Sequence, residues 1–354
     1  MGRDVWVDRF RPVAAAMVVA IHTAPLAEVS PVLGEAVVYG VFRVAVPFFL
    51  MVAGRYVLAP FITRHPGSRE RVRRYVRRSI ATYLLATAAY LPQMAYAGNL
   101  PGSVPAFLLW LLVDGTVYHL WYFPALVLGL AVCCALSRLG VRVALVAAAT
   151  LYLVGVGGDS YFGAVGAAGP LEPLYGALFS CVEYTRNGLF YAPLFLMLGA
   201  AASPASKGFV RRDGALLAAS LIGVAAEACV TSALGWQRHD SMYLSLPLAS
   251  WALFRILLSA RPRTRCPLDA VAPASEAVYL VHPYVIVAVR GAARLVPGVA
   301  SPAPLFAATL ALSFAVAMVT LRAESAIRAA AAGARGKGAV TKRREHERKE
   351  RGTE

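Results

Sequence analysis

A chain of 354 residues that is 58% hydrophobic and only 15% charged, with mean hydropathy +0.60, holds more apolar surface than one water-soluble core can bury. That excludes a soluble globular domain and leaves the bilayer as the solvent. The formal net charge of +16 does not point to nucleic acid, because the cations are gathered in the segments between apolar runs.

Those apolar runs recur at 13–27, 36–59, 79–97, 118–136, 142–157, 187–203, 213–234, 242–259, 275–294 and 303–323. Several are shorter than the ~20 residues of a full span, so the expectation is an all-α integral membrane protein with about ten transmembrane helices. The stretch 104–113 is too short to cross and reads as interfacial. With the N-terminus in the cytoplasm, the inside segments hold 28 of the 35 Lys and Arg and the outside segments only Arg186, Arg238 and Arg294. This is the positive-inside pattern, and it predicts that both termini are cytoplasmic in a multi-pass plasma-membrane protein. Residues 1–27 have the Arg-bearing start and apolar stretch of a secretory signal, but His22 interrupts the run and nine further spans follow.

The loop at 60–78, with Arg69, Arg71, Arg73, Arg74, Arg77 and Arg78, reads as a basic amphipathic segment, either against anionic headgroups or around an anionic ligand. Gly155, Gly157 and Gly158 lie in a glycine-rich stretch at 155–169 that no strand precedes, so a flexible external loop is expected there and not a nucleotide site. The five cysteines show no CxxC spacing and fall in different compartments, which supports neither a metal site nor a disulfide framework. No repeat of 20–50 residues is present. The chain divides into a membrane domain at 1–325 and a basic tail at 326–354, expected to be disordered for want of apolar content.

Ionisable groups inside a membrane are costly and mark candidate sites. Arg11 opens the first span and His22 lies eleven residues on, so the two share one helix face at a separation of roughly 16 Å. Taken singly, Arg11 also fits a positive-inside anchor and His22 a satisfied interhelical histidine. Arg43, His119, Arg186, Asn187, His239 and Asp240 all fall near the external ends of their spans. An aromatic-belt position suits His119 equally, flanked by Trp121 and Tyr122, and loop electrostatics suit Asp240. His282, beside Pro283, falls in the inner half of the ninth span and reads as a helix-packing residue.

The stretch RPVAAAMVVAIH at 11–22 has an R-x10-H form that resembles the acyltransferase-3 family of transmembrane acyltransferases. VPFFLMVAGRYV at 46–57, RRYVRRSIATYL at 73–84, HLWYFPALVLGL at 119–130 and SEAVYLVHPYVI at 275–286 are similar to further family motifs and follow in the family's order. Ala53 and Arg55 stand where that family usually has Ser before the glycine and Phe or Tyr after it. TRNGLFYAPLFLMLG at 185–199 and RHDSMYLSLPL at 238–248 are similar to the membrane domains of vancomycin-resistance serine racemases and their stand-alone relatives. Those racemases carry a pyridoxal-phosphate domain after the membrane half. The present chain ends where that domain would begin, so racemase activity is not expected.

The resemblance implies transfer of an acyl group, commonly acetyl, from acyl-CoA to a hydroxyl of a carbohydrate or other envelope molecule. His22 is then the expected base, and Arg11 with Arg73, Arg74, Arg77 and Arg78 the expected clamp on the donor phosphates. Arg43, His119, Asn187, His239 and Asp240 are the expected acceptor pocket. The bilayer, acyl-CoA as co-substrate and a hydroxylated acceptor are the expected partners, with no bound cofactor, metal or nucleic acid. A transporter of small solutes such as serine-like amino acids would use the same embedded polar groups as a substrate path, and stands as the alternative.

Overall fold

The computed structural model describes residues 4–350 apart from 168, 205–206, 261–263 and 265; the side chains of 207–209 and 327–350 are also outside the description. Among the described residues the regular structure is helical throughout. The elements are α1 (Val5–Thr23), α2 (Pro31–Ile62), α3 (Ser68–Tyr96), α4 (Val104–Asp114), α5 (Tyr122–Leu139), α6 (Val141–Gly157) and α7 (Glu172–Phe179). They continue with α8 (Ala192–Ala201), α9 (Lys207–Ala233), α10 (Leu246–Ser259), α11 (Leu268–Ala292) and α12 (Pro302–Glu350).

A helix falls on each of the ten apolar runs, as it must where lipid offers no partner for backbone N–H and C=O groups. Five described segments, within α2, α5, α9, α11 and α12, are long and apolar enough to cross a membrane by length and composition. Leu85, Leu153, Ile222, Val287 and Val319 stand out on the surface of this bundle, exposed as large apolar side chains. A protein in water rarely shows so many, whereas lipid tails solvate them at no cost.

α8 is the hub. Its residues Ala192 to Met197 and Gly199 are all buried, and it packs on α2, α5 and α6 at once. Small residues make this possible: a Cβ on Gly54 would overlap the carbonyl oxygen of Leu196, and one on Gly199 would overlap that of Met51. The two glycines let α2 and α8 touch backbone to backbone, the usual device where helices pack without a hydrophobic driving force. Phe48, Met51, Leu126, Phe195 and Phe254 fill the surrounding core. On the other side of α1, Ala15 and Val19 meet Val278 of α11 and Ala317 of α12.

α2 is not a regular α-helix. It widens into π-helical turns at Gly34–Gly40 and Gly54–Leu58 and tightens to a 3-10 turn at Val41–Val44. Such changes of winding rotate the side chains that follow, and here they set Arg43 against the loop before α10. Further along, Arg55 donates to the carbonyl of Ala202 at 2.7 Å, tying α2 to the end of α8.

Three expectations need correction. The basic segment at 60–78 is largely the opening of α3, because Arg and Glu are good helix formers and Gly67, at φ 73°, supplies the left-handed residue before it. The sixth apolar run, expected at 187–203, is helical only over Ala192–Ala201, since the side chain of Asn187 holds a turn ahead of it. The glycine-rich stretch opens on a packed turn: Gly155, Gly157, Gly158, Asp159 and Ser160 are buried, with Gly158 against Thr185 and Tyr175. The backbone of α12 runs on to Glu350, consistent with the Ala, Arg, Lys and Glu content of this stretch. The last four residues of the chain lie outside the described region.

Candidate functional site

The site begins on α1. One uninterrupted helix carries both Arg11 and His22, so their common face is a feature of the structure and not only of the spacing. Arg11 lines a cavity of about 420 Å³ together with Arg78 of α3, Tyr122 of α5 and Glu276 and Tyr279 of α11. Asp8 pairs with Arg11 at 3.3 Å and Glu276 with Arg78 at 3.5 Å, both on partly exposed side chains. The cavity therefore has an edge of partly exposed cations and a wall of aromatic rings. Arg73, Arg74 and Arg77 are exposed and are absent from the cavity's described lining.

Beyond the aromatic wall three histidines meet. The rings of His22 and His282 stack at 5.3 Å between centroids, and His119 approaches His282 edge-on at 5.3 Å. Tyr118 packs edge-on against His22 at 4.7 Å. Tyr279 belongs to both places: it lines the cavity, its ring lies 5.6 Å from that of His119, and its hydroxyl donates to the His119 backbone carbonyl. The histidine cluster thus stands directly behind the inner wall of the cavity.

The orientation of His282 follows from Pro283. A proline has no N–H to donate to the carbonyl four residues back, which leaves Tyr279 O free inside the helix. His282 Nδ1 lies 2.8 Å from that oxygen. A carbonyl only accepts, so Nδ1 carries the proton and Nε2 is left as a bare acceptor. That Nε2 is buried without a partner among the described residues. A packing role was expected for His282, in the inner half of its span. The hydrogen bond within the helix fits that role, but its ring lies level with His22 and its second nitrogen is unspent.

A second group of charges lies where the external ends of the spans were expected. Arg43 pairs with Asp240 at 2.5 Å. Burial opposes ionisation of Asp240, but the Arg43 guanidinium outweighs it and holds the carboxyl below its usual range. Arg186 donates to Ser241 Oγ at 3.2 Å and stacks over Tyr184 at 4.6 Å and Trp121 at 5.5 Å. His239 lies against Tyr184 at 4.4 Å, and burial, then Arg186 and Arg238, lower its pKa to about 4.

Asp159 organises the loop before α10. Its Oδ1 accepts from the backbone N–H groups of Ser241 at 2.7 Å and Met242 at 2.9 Å, and from the Ser160 hydroxyl at 3.0 Å. Burial outweighs these bonds and raises its pKa to about 6. Asn187, expected in an acceptor pocket, has its amide committed to a turn: Oδ1 accepts from Leu189 and Phe190, and Nδ2 donates to Tyr184 O. Sequence reasoning passed over Asp159, Ser241, Tyr279 and the free nitrogen of His282. The histidine-proline pair on a span was the one available signal among them.

A family model described as an acyltransferase domain matches residues 4–322. A serine/alanine racemase of Enterococcus gallinarum is 39% identical over 285 residues, which cover 79% of this chain and 40% of that protein. An amino-acid racemase of Enterococcus faecalis is 35% identical over 328 residues, covering 91% of this chain and 46% of its own. The chain therefore spans less than half the length of these relatives. No solved structure matches it. With the domain match running through α1, the cavity and the histidine cluster, this chain is a membrane protein of the acyltransferase-3 family.

Proposed function

We propose that this protein is a multi-pass plasma-membrane O-acyltransferase, with ten spans and cytoplasmic termini, that moves an acyl group, acetyl by preference, from acyl-CoA to a hydroxyl of an envelope molecule or small acceptor. One observation carries the reading: Arg11 lines a cavity at the basic end of α1 while His22, on the same helix, joins His119 and His282 behind that cavity's inner wall. The donor phosphates would lie at Arg11 and Arg78, where guanidinium forks suit them. The donor arm would run along α1 past Tyr279.

In the transfer step His22 takes the proton of the acceptor hydroxyl as its oxygen attacks the thioester carbonyl. The C–S bond then breaks, and the proton passes to the departing CoA thiolate. His282, with Nδ1 engaged, and His119 frame the His22 ring, which supports a base of fixed orientation. Purified protein in detergent should bind acetyl-CoA and slowly release CoA thiol. Neither thermal stabilisation by several acyl-CoAs nor thiol release would sink the reading.

A second reading is favoured by the names of the relatives. Racemases of serine, alanine and other amino acids share this membrane half, so a small amino acid is a candidate solute for transport, or a candidate acceptor through a serine hydroxyl. Uptake of labelled serine into proteoliposomes, with no binding of acyl-CoA, would favour transport.

A further inference from the structure

Among the described residues, Arg186 is the cation of the external cluster with no ion pair of its own. Arg43 has Asp240 at 2.5 Å, and one carboxylate oxygen of Asp159 is taken by backbone N–H groups and Ser160. Arg186 has a serine hydroxyl and the faces of two aromatic rings. Its Nε is sealed from solvent without a partner among the described residues, as are Arg43 Nε and Asp159 Oδ2. Burial first, and then the like charge of Arg43, pull its pKa down, against the opposing charges of Asp159 and Asp240. A desolvated guanidinium is costly unless an anion completes it.

The surroundings narrow the anion. Tyr184 and Trp121 lie against the guanidinium, and Ser241 takes one of its donors, which leaves a compact planar fork. Asp240, Asp159 and Glu183 stand around the cluster, a poor setting for a doubly charged phosphate and a tolerable one for a single carboxylate. Trp121, whose ring lies 5.5 Å from the guanidinium, is two residues along the chain from His119 of the histidine cluster.

We infer that Arg186 anchors the carboxylate of a small hydroxy-acid or hydroxy-amino-acid acceptor, whose hydroxyl then faces His22. This rests on the acyl-transfer reading for what becomes of the hydroxyl, but the binding itself does not.

The test uses the full chain in nanodiscs with labelled L-serine as probe. L-alanine, which keeps the carboxylate, should compete for binding, and serinol, which lacks it, should not. Arg186→Gln should weaken serine binding by about 10–100-fold, the scale of a lost charge-assisted pair, while acetyl-CoA binding persists. Arg186→Lys should retain part of the affinity. The wild-type competition needs no variant, so a folding defect in Arg186→Gln leaves a decisive measurement. Serinol competing as well as alanine, serine binding unaltered in a folded Arg186→Gln, or no binding of serine or alanine to wild type would each overturn the inference. In the last case thiol release from acetyl-CoA would leave the acyltransferase standing; serine binding without any response to acyl-CoA would do the reverse.

Discussion

At the scale of single residues the site depends on which nitrogen and oxygen atoms are already committed. His282 has one nitrogen engaged by the carbonyl that Pro283 leaves free, and Asn187 has its whole amide engaged in a turn. His22 makes ring contacts with Tyr118 and His282. Replacing His22 with Gln should lower turnover by roughly 10²–10⁴-fold, the range of general-base loss, with donor affinity unchanged. Arg11→Lys keeps the charge and loses the fork, so donor affinity should weaken while transfer at saturating donor holds. Isothermal titration and single-turnover kinetics separate the two, and a fully active His22→Gln would remove His22 as base. Asp159 gives a test by pH. Its native pKa, raised to about 6 by burial, exceeds the ordinary carboxylate value of 3.8. The native state then holds the proton more tightly than the unfolded chain, so the stability Asp159 contributes is fully present below pH ~4 and lost as pH rises to ~6. The unfolding free energy of wild type should fall relative to that of Asp159→Asn across that window, by at most about 3 kcal/mol, as read from unfolding curves in detergent. Parallel curves would mean that Asp159 titrates normally.

At the scale of elements, the pairing of α2 with α8 sets the geometry. Gly54 and Gly199 face each other's partner backbone, so neither has room for a methyl group. Either Gly→Ala substitution should destabilise the fold by about 1–3 kcal/mol, as overpacking does. The loss should appear as a lower unfolding temperature in detergent. Gly54→Ala should also disturb the site, because the wound and unwound turns of α2 place Arg43 against Asp240. Gly34, with open space where a Cβ would stand, serves as the control and should accept Ala far more readily. The family-like motif at 46–57 thus has a packing meaning for its glycine, independent of any catalytic role.

At the scale of the whole molecule, the segregation of charge predicts orientation. Single cysteines at 60–78, 137–142, 204–212 and 260–274 in a cysteine-free background should resist impermeant thiol reagents in intact cells, and labelling at 60–78 would reverse the assignment. Composition and the spacing of apolar runs were enough to establish a helical membrane protein, because hydropathy and backbone satisfaction in lipid are properties of contiguous sequence. The Arg11–His22 relation was legible for the same reason, as two residues on one helix obey a fixed period. What joins distant segments was not. The meeting of His22 with His119 and His282, the pairing of Arg43 with Asp240, and the burial of Asp159 in a glycine-rich turn link α1, α2, α6, α10 and α11 or the loops beside them. No local period encodes such contacts. They were decided by how α8 and its small residues let the helices close on one another, and by the need of each buried polar atom for a partner.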